Sequence, residues 1–178
     1  MSDIVIKRTA RPDRKLSGSW LEVIASNLDY HRATFLWKCD GLTEAQLRQR
    51  PVPSSELTLL GLMRHLQGAA RYWFQRRLAD TTPHFFPYRT SATADGGEWF
   101  DEADPTPATD VYADYLAACG ESREVFAKVT EDLGRKVPNP EFGTTDVRFV
   151  LEHLIEEYAR HVGHADLLRE AIDGTTGE

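Results

Sequence analysis

Apolar residues recur at three- and four-residue steps in four long runs, separated by joints rich in proline and glycine. The first run, from about Trp20 to Leu42, sets Leu21, Ile24, Leu28, Phe35 and Cys39 on one side and closes at Gly41, a residue type that commonly ends a helix. Thr43-Glu-Ala-Gln46 has the form of a capping box and predicts a short connecting helix that Pro51-Val-Pro53 terminates. A second long helix is predicted from about Leu57 to Leu78, with Leu59, Leu62, Leu66, Ala69, Ala70 and Trp73 on its apolar side. Arg64, Arg71, Arg76 and Arg77 read as its solvated far side. Thr109 fits the N-cap of a third helix reaching about Val129, striped by Tyr112, Tyr115, Cys119, Ser122, Phe126 and Val129. After a turn at Pro138-Asn-Pro140, Thr144 or Thr145 caps a last helix that runs to Ile172 and stops at Gly174. Strand patterning is weak or absent. The pattern predicts an all-α, up-down four-helix bundle with a short extra helix.

Between Asp80 and Thr109 no period persists, and prolines, the Gly96-Gly97 pair and aromatic residues such as Phe85, Phe86, Tyr88, Trp99 and Phe100 accumulate. Loops this long inside compact domains often act as lids or binding segments, so the 80–108 segment between the second and third long helices is expected at the mouth of a pocket. A length of 178 residues, with 41% hydrophobic and 28% charged, fits one domain over 1–178, with 1–17 as a loosely ordered leading segment. Such a chain buries roughly 70% of its unfolded surface and needs no metal merely to hold a core. Any metal site therefore requires a functional reason. Acidic residues outnumber basic ones by 28 to 21, and the net charge of −7 argues against a nucleic-acid partner held by its phosphates. Cys39 and Cys119 form no CxxC pair, which suits a reducing compartment. The opening Met-Ser-Asp-Ile-Val-Ile-Lys-Arg is too polar for a signal peptide, and no stretch approaches the ~20 apolar residues of a membrane span. A cytoplasmic location with no membrane partner is expected.

Six histidines stand out against this composition, three of them, His153, His161 and His164, within twelve residues. On the last helix, at about 100° per residue, His164, Glu157 and His161 fall roughly 20°, 40° and 80° from His153. That stripe overlaps the apolar face marked by Val150, Leu154, Leu168 and Ile172, so the cluster points inward. An inward carboxylate costs several kcal/mol unless something compensates it, and neighbouring imidazoles or a cation would do so. Glu157 and His161 are an i,i+4 pair able to converge on one ion, and His65, at the edge of the second helix's apolar face, can add a facing ligand. A 2-His-1-carboxylate site follows, suited to Zn²⁺ or Fe²⁺, with Ni²⁺ or Mn²⁺ compatible by ligand type. His-Glu-x-x-His and the Glu-x-x-His of di-iron bundles are both absent. His153 and His164 fit a role beside the ligands, through hydrogen bonds to them. His31 reads as a satisfied core histidine, His84 as loop surface, Tyr72-Trp73-Phe74 as packing, and both cysteines as inert core thiols.

Three segments carry a resemblance: Leu28-Asp-Tyr-His-Arg-Ala-Thr-Phe-Leu-Trp-Lys-Cys39 followed by Gly41-Leu-Thr, Leu59-Leu-Gly-Leu-Met-Arg-His65-Leu, and Leu154 to Arg169 through Asp173-Gly. Here the chain resembles the DinB-like superfamily of metal-binding four-helix bundles, and within it an actinobacterial branch described as mycothiol transferases. The resemblance implies one ligand from the second helix and two, spaced by four, from the last, which map onto His65, Glu157 and His161. Many members have histidine where this chain has Glu157, but the mycothiol-dependent maleylpyruvate isomerase is similar in using glutamate. Where many relatives continue with His-Arg-Gly-Gln, this chain reads His161-Val-Gly-His164, which puts a histidine beside the open side of a metal. Close relatives also tend to carry glutamate where Ala70 stands.

The resemblance implies a metal-dependent thiol S-transferase or isomerase, with Zn²⁺ on those three residues, a low-molecular-weight thiol such as mycothiol, and a small electrophile as partner. His164 is the candidate proton shuttle and His153 the candidate support for a ligand. Homodimers are common in the superfamily. The same three ligands would equally serve a metal-dependent hydrolase, and a non-catalytic stress protein binding a metal or small molecule is the alternative from another class.

Overall fold

The computed structural model describes residues 5–7, 10–81, 105–129, 132–140 and 142–177. The aromatic segment expected at a pocket mouth, with His84, falls mainly outside the described residues. Among those described, helix α1 spans Trp20–Cys39, α2 Glu44–Leu47, α3 Leu59–Ala70, α4 Ala108–Lys128 and α5 Val147–Asp173. The architecture is the predicted all-α bundle of four long helices. No helix among the described residues is long and apolar enough to cross a membrane.

Each helix start has a local cause. Ser19 and Glu22 form a reciprocal capping box on α1, with Glu22 N–H donating to Ser19 Oγ at 3.3 Å and Ser19 N–H to Glu22 Oε2 at 3.0 Å. The box predicted at Thr43 and Gln46 opens α2 with the same geometry. Thr58 Oγ caps α3 by accepting from Gly61 N–H at 2.9 Å. Gly174, in the left-handed region at φ 77°, ends α5. Gly41 turns the chain away from α1 at φ 75° and donates its N–H to the Ile6 carbonyl at 3.2 Å. Ile6 is fully buried, so this part of the leading segment, expected to be loose, is tied to the core.

Four expectations are corrected. The second long helix does not stay α-helical: after Ala70 it continues as a π-helix over Arg71–Leu78. Its arginines do not form one solvated side: Arg64 and Arg71 are buried and Arg77 is half-buried, and only Arg76 of the four is exposed. The α3 segment packs against both α4 and α5, leaving no free far side. Arg71 is held by Asp114 through two bonds of 2.7 Å and by Glu121 at 2.9 Å. Thr109 lies inside α4, whose N-cap is Pro107 without a side-chain bond. Finally, an antiparallel hairpin, β1 Lys136–Asn139 with β2 Gly143–Asp146, precedes α5. Thr144 and Thr145 therefore belong to the sheet, Thr145 Oγ1 donating to the Val137 carbonyl at 3.0 Å. The α5 cap is Asp146, whose Oδ1 accepts from Phe149 N–H at 3.1 Å.

The core joins Leu28 and Phe35 of α1, Leu62 and Leu66 of α3, Tyr115 of α4 and Leu151, Leu154 and Tyr158 of α5. Burial of this kind, at about 25 cal/mol per Å² of apolar surface, is what sets the four helices against one another. The inner faces of α3 and α5 are thereby fixed side by side.

Candidate metal centre

The contact between α3 and α5 brings His65, Glu157 and His161 together. Glu157 and His161 sit on successive turns of α5, and His65 meets them from α3 with one ligand atom of each lying within 4.8 Å of the others. Glu157 Oε2 is 3.0 Å from His65 Nε2 and 3.5 Å from His161 Nε2. The His65 and His161 rings stand nearly edge to face, 4.5 Å apart. Both imidazoles thus present Nε2 to the same carboxylate oxygen. The three side chains are 26%, 17% and 12% exposed respectively, so a small molecule can reach them while they stay partly screened from bulk water.

The electrostatics fit a cation. The imidazoles of His161 and His65 hold the Glu157 carboxyl far below its ordinary range, against burial that pushes it up. Glu157 is therefore a carboxylate wherever the histidines are neutral enough to coordinate. Donors about 2.1 Å from a tetrahedral Zn²⁺ stand roughly 3.4 Å from each other. The 3.0 and 3.5 Å separations at Glu157 bracket that spacing. Two neutral imidazole nitrogens and one carboxylate oxygen form a borderline donor set with room for further ligands.

The flanking histidines occupy different places. His164 Nδ1 lies 3.2 Å from His161 Nδ1, behind that ring. If Nε2 of His161 coordinates, its Nδ1–H donates to His164, which fixes both tautomers. Burial, then the charges of His161 and Arg160, lowers the His164 pKa, keeping the ring a neutral acceptor. His153 Nε2 is 3.8 Å from Glu157 Oε1, longer than a hydrogen bond, and its Nδ1 is 3.5 Å from Glu156 Oε2. His31 is half-buried on α1, where burial lowers its pKa, and it stands apart from the cluster. Ala70, five residues beyond His65, is fully buried and supplies no donor.

A model of the mycothiol-S-transferase family matches residues 23–174, from α1 to the end of α5, and so includes all three candidate ligands. The chain belongs to the mycothiol-S-transferase family. No curated protein matches it. For this member of the DinB-like mycothiol-S-transferase family, one neighbourhood of the site was not read from the sequence. His153 is ringed by Trp73 of the π-helix, Phe142 of the hairpin loop and Phe149 of α5, at centroid distances of 4.8, 5.7 and 5.7 Å. Phe149 could have been found, being four residues before His153 on the same stripe. The Tyr72-Trp73-Phe74 run by itself points only to packing, and nothing in the local pattern ties Phe142 to α5.

Proposed function

We propose that this chain is a metal-dependent thiol S-transferase or isomerase of the mycothiol type, with His65, Glu157 and His161 holding a divalent ion, best Zn²⁺, with Ni²⁺, Fe²⁺ or Mn²⁺ compatible with the donors. The observation that carries this reading is the convergence of His65 Nε2 and His161 Nε2 on Glu157 Oε2, at 3.0 and 3.5 Å, in a chain of the mycothiol-S-transferase family. An ion bound there would supply the positive charge that favours a thiolate over a thiol near neutral pH. Everything else falls to the protein's side chains. Glu157 contributes a single negative charge, so the ligand set leaves a divalent ion's charge partly uncancelled toward an incoming sulfur. His161 keeps its orientation through the Nδ1 contact with His164. His164, expected beside the open side of an ion as a proton shuttle, stands behind the His161 ring and would act by holding that ring, and His153, at 3.8 Å from Glu157 Oε1, would flank the carboxylate without a hydrogen bond to it.

The reacting sulfur comes from a soluble thiol. Cys39 and Cys119 are unpaired but buried, at 0% and 2% exposure, and burial raises the Cys39 pKa strongly. Neither can act as the nucleophile. A cytoplasmic setting, a single domain over 1–178 and a homodimer belong to the same proposal. The test is conjugation itself: zinc-loaded protein, mycothiol and a panel of small electrophiles, with the thioether read by mass spectrometry against an uncatalysed control. Formation of the conjugate above control is the expected result. Loss of the electrophile to water alone would turn the reading to a hydrolase, and no turnover with any electrophile would remove the transferase.

A further inference from the structure

Two exposed phenylalanines from different elements meet beside the candidate centre. Phe142, 45% exposed, and Phe149, 36% exposed, have ring centroids 5.5 Å apart. Behind them Trp73 is buried and stacks on Phe142 at an interplanar angle of 24°. His153 lies parallel to Phe149, at 7°, and its Nε2 approaches Glu157 Oε1 at 3.8 Å. Scattered apolar residues on a surface need no account, but a contiguous aromatic group beside polar ligands has the make-up of a small-molecule site. Its construction draws on three elements. The π-helix carries Trp73, a helix type that often marks functional sites. Asn139 Oδ1 accepts from Phe142 N–H at 2.9 Å and fixes the hairpin loop. Phe149, His153, Glu157 and His161 follow at four-residue steps along α5, so Phe149 stands about 12 Å and His153 about 6 Å along the axis from Glu157.

We propose that Trp73, Phe142, Phe149 and His153 form a shelf that binds the planar aromatic part of the electrophile, with the reacting carbon turned toward His65, Glu157 and His161. This rests on the transfer reaction proposed above. The 6 to 12 Å span along α5 matches one or two fused rings, and offset or edge-on contacts with the exposed phenylalanines supply affinity without charge. For an arylmethyl bromide, the thiolate sulfur donates a lone pair to the methylene carbon. The C–S bond forms as the C–Br bond breaks, and bromide leaves with the bonding pair, the thiol proton having passed to buffer.

The experiment uses zinc-loaded full-length protein and an unreactive probe, naphthalen-2-ylmethanol, without thiol. Saturable NMR shifts at the Trp73 indole and the His153 ring are expected. Phe142→Ala and Phe149→Ala should each weaken the dissociation constant about three- to tenfold, while Leu167→Ala, an exposed site five turns, about 27 Å, further along α5, should not. In parallel, the ratio of kcat/KM for 2-(bromomethyl)naphthalene to that for bromoethane should fall by a similar factor in Phe149→Ala. Absence of shifts at Trp73 and His153, or an unchanged dissociation constant in both phenylalanine variants, overturns the shelf even if conjugation proceeds. Binding with these losses, in a protein that conjugates neither bromide, keeps the aromatic site and overturns the transfer reaction.

Discussion

Replacing Glu157 with glutamine keeps the shape of the side chain and removes its charge, which makes it the sharpest perturbation of the centre. The carboxylate lies between His65 Nε2 at 3.0 Å and His161 Nε2 at 3.5 Å, and no other carboxylate belongs to the clustered ligand set among the described residues. Zinc binding in four-ligand peptide sites is worth ~10–16 kcal/mol, or about 2.5–4 kcal/mol per ligand. Loss of one ligand therefore weakens affinity by about 100- to 1000-fold. The assay is competition for Zn²⁺ against a chelating dye at neutral pH, with circular dichroism on the same samples. The helical signal should persist in Glu157→Gln, because the core that holds α3 against α5 is apolar and complete without the centre. A Glu157→Gln protein that binds Zn²⁺ as tightly as wild type would refute the reasoning, since the ion would then lie elsewhere.

Three further outcomes follow from particular contacts. Asp114→Asn leaves the buried Arg71 with Glu121 as its remaining carboxylate partner and should cost about 3 kcal/mol in urea denaturation; a loss below about 1 kcal/mol would contradict a stabilising role for the pair. His164→Ala removes the partner of His161 Nδ1 and should weaken Zn²⁺ binding about 10- to 100-fold without changing its stoichiometry, whereas unchanged affinity would show that His164 does not orient the ligand. The Glu22 carboxyl is lowered to about 2 by its hydrogen bond to Lys15 and then by those to Ser19. Its contribution is complete above the ordinary 4.5 and is lost as pH falls toward 2. Wild type should therefore be more stable than Glu22→Gln at pH 6, with the gap closing near pH 2.5; a gap independent of pH would exclude this linkage.

The helices were legible because their signals are local. Thr43 and Gln46 cap α2 within one turn, Gly174 ends α5, and the stripe that carries Glu157 and His161 follows from helical period alone. The meeting of that stripe with His65 required only that the apolar faces of α3 and α5 oppose each other. What escaped depends on partners distant in sequence. Arg71 looked solvated because its acidic partners, Asp114 and Glu121, lie on α4. The π-helix changes the turn after Ala70, whereas the apolar spacing by itself points to a regular α-helical period. Pro138-Asn-Pro140 has the form of a turn, yet Pro138 lies within β1, which pairs with a single neighbour and so tolerates a missing N–H. The hairpin then displaced the expected threonine caps of α5 and brought Phe142 onto Trp73.

The most direct test of the central claim joins the centre to the reaction. Protein stripped by chelation is titrated with Zn²⁺ while mycothiol conjugation of one electrophile is followed. Activity should be absent at the start, rise in proportion to added ion and level off at one equivalent in wild type, with no recovery in His161→Ala. Full conjugation by the stripped protein, or equal recovery in His161→Ala, would contradict a transfer reaction dependent on an ion at His65, Glu157 and His161.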